Sequence, residues 1–96
     1  MARLVWKKTD SPADDVAFDL GETSLTIGRD PKCGIFMDTP LISREHARID
    51  FRDGAHVVVD LDSTNFTKVN GERVTEKALQ AGDEVRFSRA VCVYEA

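Results

Sequence analysis

Cysteine is scarce in this sequence. Cys33 and Cys92 are the only two; they lie far apart, in no Cys-x-x-Cys pair and with no histidines at zinc-binding spacing. That excludes the common metal and thiol redox sites, and no metal or cofactor is expected. Two reduced thiols are the expected state, since a disulfide would require the fold to bring the pair together. Aromatic residues are also few, with five Phe, one Trp and one Tyr, too few for a base-stacking platform. No apolar run is long enough for a signal peptide or a membrane span, so the expected compartment is the cytoplasm. Positive charge is in deficit, 13 Lys and Arg against 17 Asp and Glu for a net charge of -4. Broad binding to nucleic acid or to an anionic membrane needs a basic face, and both are excluded. There is no Gly-x-Ser-x-Gly elbow, no phosphate loop ending in Gly-Lys-Ser/Thr and no His-Glu-x-x-His. His46 and His56 stand in no pattern with a nucleophile, so no residue is assigned to catalysis.

What the sequence does contain is a period of two. At 42% hydrophobic and 31% charged it has the material for a core, and 96 residues suit one domain, 1–96. Val16, Phe18 and Leu20 share one face, as do Leu25 and Ile27. Ala47, Ile49 and Phe51 point inward with Arg48 and Asp50 outward, and after Asp53-Gly54 the alternation resumes at Val57-Val58-Val59, which makes a hairpin. Asn70-Gly71 supplies the two positive-φ residues of a type I′ turn and marks a second hairpin. Arg3 to Trp6 and Val91 to Tyr94 are strand-like runs that can pair side by side, and Trp6 is assigned to packing. Thr9 to Asp15 is a polar loop. Thr75 to Ala81 is the one stretch rich in helix formers, enough for one short turn before Gly82. Many short strands between Gly, Pro and Asx turns predict an all-β, antiparallel sandwich of two sheets.

In a sandwich the strands are scaffold and the loops at one end carry function. Three polar segments stand out: Ile27-Gly28-Arg29-Asp30-Pro31, Leu41-Ile42-Ser43-Arg44-Glu45-His46, and the run from Asp60 through Asn65 to Gly71. Together they offer guanidinium forks, short hydroxyls, an amide and free backbone N–H groups, the donors a phosphate dianion requires. Arg at strand ends and Ser, Thr and Asn in turns are also ordinary features of all-β proteins, so spacing alone leaves both readings open. Lys32, Lys68 and Arg73 are read as solvated surface charge, given Asp30, Asp38 and Glu45 nearby.

Gly28-Arg29, Ser43-Arg44-Glu45-His46-Ala47, Ser63-Thr64-Asn65 with Val69-Asn70-Gly71, and Leu79 with Gly82-Asp83 follow one another in an order that closely resembles the forkhead-associated domain. The resemblance runs from about residue 20 to 96. It implies a sandwich of about eleven strands whose apical loops bind phosphothreonine peptides in Ser/Thr-kinase signalling. Arg29, Ser43, Arg44 and Thr64 would then contact the phosphate, and Asn65 the peptide backbone. Leu41 and Phe66 fall in the loops that set specificity, while Gly28, His46, Asn70 and Gly71 match structural positions, His46 bracing a loop. The expected partner is a phosphothreonine-containing protein, a kinase or its substrate, met by a monomer.

Two positions depart from the family pattern. Phe66 stands where Gly usually follows the Asn, and Ser88 where Gly often follows the last strong strand. If the first position takes positive φ, Phe there costs about 1–2 kcal/mol or bends the loop along another path. The alternative function is therefore a degenerate forkhead-associated domain that binds protein without phosphate.

Overall fold

The computed structural model describes residues 2–96. Eleven strands form in chain order: β1 (Arg3–Trp6), β2 (Val16–Asp19), β3 (Leu25–Gly28), β4 (Ile35–Phe36), β5 (Ala47–Arg52), β6 (Ala55–Asp60), β7 (Thr67–Val69), β8 (Glu72–Val74), β9 (Glu76–Ala78), β10 (Glu84–Phe87) and β11 (Ala90–Glu95). They make two facing sheets, one ordered β2-β1-β11-β10-β7-β8 and the other β4-β3-β5-β6-β9. The two ends of the chain do pair, with Leu4 opposite Tyr94 and Trp6 opposite Cys92.

Alternation of side chains builds the space between the sheets. Ala90, Cys92 and Tyr94 of β11, Val85 and Phe87 of β10, and Leu4 and Trp6 of β1 point in from one side. Ile27, Ala47, Ile49 and Val58 meet them from the other, with Ile35, Met37 and Ile42 closing the end of the core. Burying such aliphatic and aromatic groups stabilises the fold by about 1.5–3 kcal/mol each. Cys33 and Cys92 are both free thiols, and burial pushes the Cys92 thiol far above its ordinary range.

Both turns expected of Asx-Gly pairs form. Asp53 and Gly54 take φ of 50° and 80°, Asn70 and Gly71 take 52° and 85°, and each pair joins neighbouring antiparallel strands. Asn70 also ties the turn to β10: its Oδ1 accepts the Glu84 N–H at 2.9 Å and its Nδ2 donates to Asp83 at 3.0 Å.

Three details differ from the sequence expectations. Thr75 to Ala81 holds no helical turn; Glu76–Ala78 is β9, paired with the free edge of β6. So short a segment cannot meet the cost of helix nucleation, whereas the β6 edge offers it a ready ladder, and buried Leu79 donates its N–H to the His56 carbonyl at 2.8 Å. Among the described residues the only helical turn is a 3₁₀ turn at Pro12–Asp14, inside the polar loop, where Pro begins the turn. The pair β3 and β4 is parallel, since β4 is a two-residue edge reached by a short excursion.

Asp50 projects from the outer face of β5 as its alternation predicts, yet it is buried. Arg48 Nε at 2.6 Å and Arg52 Nη2 at 2.7 Å donate to it, as does the Ser24 hydroxyl at 2.8 Å. These donors, Arg48 first, hold its carboxyl well below the ordinary carboxylate range. The unfolded chain therefore binds more protons than the folded one in acid. The contribution is complete above the ordinary Asp value and is lost as pH falls below it. Urea midpoints are expected to fall with pH across that range, and Asp50→Asn to flatten the fall. A variant as acid-sensitive as the parent would contradict the assignment.

Candidate functional site

The loops after β3, β4 and β6 and the turn after β10 gather at one end of the sandwich. Their close approach begins at Gly28. A Cβ there would lie 1.8 Å from the Arg44 carbonyl oxygen, so only glycine admits the second loop against the end of β3. Backbone bonds then knit the two segments: His46 N–H to the Ile27 carbonyl at 2.8 Å, Arg29 N–H to Ser43 at 3.2 Å and Asp30 N–H to Arg44 at 3.3 Å.

Arg29 is exposed at this junction. Its Nε–H donates to the Ile42 carbonyl at 3.0 Å, which fixes the plane of the guanidinium, and its terminal nitrogens have no protein acceptor among the described residues. The half-buried Ser43 hydroxyl accepts a long bond from the Thr64 N–H, 3.5 Å, and keeps its own proton to give. Arg44 is exposed beside it. Arg29, Leu41, Ser43, Arg44, Thr64 and Asn65 line one open basin of about 310 Å³. Two guanidiniums, two hydroxyls and an amide thus converge where a tetrahedral dianion would be satisfied from several sides.

His46 has no solvent exposure. Its Nδ1 accepts the Ser43 N–H at 3.2 Å, its Nε2–H donates to the Phe66 carbonyl at 2.9 Å, and its ring meets Phe87 edge-on at 5.6 Å. One imidazole therefore joins the loop after β4 to the loop after β6. Both bonds require the neutral Nε2–H tautomer, and burial lowers its pKa, which keeps it neutral.

The loop after β6 has an anchor to which the sequence reading gave no role. Asp60 accepts the Ser63 hydroxyl at 2.6 Å, the Thr67 hydroxyl at 2.8 Å and the Ser63 N–H at 3.2 Å. This knot leaves Thr64 and Asn65 exposed at the tip. The spacing Asp60-x-x-Ser63, in which a short carboxylate can accept from the N–H and hydroxyl three residues on, was the available signal.

Phe66 itself takes the positive φ that Gly adopts freely. Its φ is 68°, Ser88 takes 59°, and the two are bonded, Ser88 N–H to the Phe66 carbonyl at 3.1 Å. Phe66 bears about 1–2 kcal/mol of strain for that conformation. Its ring neither fills the basin nor lines it: the Arg73 guanidinium lies 3.4 Å from the ring centroid, a contact that offsets about 0.5–1 kcal/mol.

The family model of the FHA domain matches residues 25–88. The chain belongs to the FHA domain family. The chain is 37% identical over 95 residues to the oxoglutarate dehydrogenase inhibitor of Corynebacterium efficiens, covering 99% of this chain and 66% of that protein. It is 38% identical over 93 residues to the glycogen accumulation regulator GarA of Mycolicibacterium smegmatis, covering 97% and 58%. The chain thus spans less than two thirds of the length of these relatives. Among solved structures, one described as a structural and functional analysis of phosphothreonine-dependent FHA domain interactions superposes with a TM-score of 0.88 at 26% identity, covering 99% of this chain and 95% of that one. The relatives carry the names of an inhibitor and a regulator, which suits an FHA domain as a binding module.

His46→Ala removes a fully buried ring and both loop bonds, and is expected to cost about 3 kcal/mol or more in urea unfolding. A loss below about 1 kcal/mol would show that the imidazole does not hold the loops.

Proposed function

We propose that this FHA domain reads phosphothreonine in a partner protein and thereby acts as an adaptor downstream of a Ser/Thr kinase. The observation that carries the reading is the basin itself: Arg29, held by one bond to Ile42 with its fork free, lines one open basin of about 310 Å³ together with Ser43, Arg44 and Thr64. Arg29, Ser43, Arg44 and Thr64 take the phosphate oxygens, Asn65 takes the peptide backbone, and Leu41, 41% exposed at the rim, meets an apolar residue beyond the phosphothreonine. Phe66 shapes specificity only indirectly, through the path it gives the Thr64-Asn65 tip.

Each charge-assisted hydrogen bond to the phosphate contributes about 1.5–3 kcal/mol, offset by the ordering of the peptide, which gives affinities of about micromolar strength. The chain performs no chemistry of its own in this reading. A kinase writes the mark, and the domain holds the marked protein. One chain supplies every contact, which suits a monomer, and two free thiols suit a reducing cytoplasm.

Arg29→Ala is expected to abolish detectable binding of a phosphothreonine peptide in calorimetry while leaving the urea midpoint nearly unchanged. Retained affinity in a folded variant would reject Arg29 as the phosphate anchor.

A further inference from the structure

Beyond Asn65 and Leu41 the phosphate basin opens into a groove that runs over Lys68, Ser88 and Arg89 and on to Arg86. Its charge is unlike that of the chain. The protein carries a net charge of -4, yet three cations line this groove against one carboxylate, Glu84. Strand register sharpens the contrast. Arg73 of β8 stands directly opposite Lys68 of β7, and Lys68 directly opposite Arg86 of β10. Like charges placed opposite one another destabilise a sheet. Arg86 is relieved by Glu84 at 2.7 Å and Arg73 by the Phe66 ring, but Lys68 and Arg89 enter no ion pair among the described residues.

We infer that this groove receives acidic side chains, Asp or Glu, flanking the phosphothreonine of the bound partner. The assignment rests on the phosphothreonine reading and extends it: the basin selects the phosphate, and Lys68 and Arg89 select the charge of the sequence beside it. Charge complementarity carries the choice of occupant, for an acidic flank is the ligand that relieves Lys68 and Arg89, two cations without an ion pair among the described residues in a groove continuous with the phosphate basin. The strained Ser88 turn has a place in this arrangement, because it sets Arg89 at the mouth of the groove.

Three peptides with one shared phosphothreonine test it by calorimetry: one with glutamates before the phosphothreonine, one with glutamates after it, and one with glutamines on both sides. Two exposed ion pairs gained together should make one acidic peptide bind about tenfold tighter than the glutamine peptide, an advantage that shrinks with added salt. In a Lys68→Ser, Arg89→Ser double variant the advantage should vanish while the glutamine peptide binds as before. Equal binding of all three peptides, or a preference that survives the double variant, overturns the groove and leaves the phosphate reading standing. No binding by any of the three overturns the phosphate reading and the groove with it. A short single-stranded oligonucleotide that binds as tightly as the acidic peptide would overturn the acidic-peptide assignment alone.

Discussion

The apical end of this domain depends on one neutral, buried imidazole. Its two nitrogens bond to two different loops, Ser43 on one side and Phe66 on the other, and the ring itself has no solvent exposure. That bridge adds to the bonds that hold each loop, so Ser43 and Thr64 stand beside each other in advance and less ordering entropy falls on ligand binding. The sandwich holds that ring in place: Phe87 of β10 packs against its edge, and the Ile27 carbonyl of β3 accepts the His46 N–H.

Around the imidazole the loops are held by polar groups turned inward, and the donors turned outward are left without protein partners. Asp60 consumes the Ser63 and Thr67 hydroxyls, and the Ile42 carbonyl consumes one Arg29 donor. Arg44 and the fork of Arg29 remain. A small acidic protein can thus gather unpaired donors for a single phosphate at one end, although its net charge is -4. The cost lies in backbone strain at Phe66 and Ser88, two positive-φ residues whose main chains bond to each other.

Much of this was legible in the residues. Period-two alternation marked the strands, Asp53-Gly54 and Asn70-Gly71 marked the tight turns, and ordered motif blocks marked the loops. Composition misled at Thr75 to Ala81, because helix propensity is local while the vacant edge of β6 is not. Asp50 followed the alternation and still became buried, since the long stems of Arg48 and Arg52 fold over it. The destination of the Phe66 ring depended on Arg73, a residue on another strand that no local pattern connects to it. The groove was hidden for the same reason: Lys68, read from the sequence as solvated surface charge, meets Arg86 and Arg89 only in the folded sheet.

The central claim is that loops prearranged by the sandwich recognise a phosphate on threonine. Titration of one peptide in two forms, with threonine and with phosphothreonine at the same position, tests it most directly. Micromolar binding of the phosphorylated form is expected, and none detectable for the other. Equal affinity for the two would contradict it and would leave a domain that binds protein without regard to phosphate.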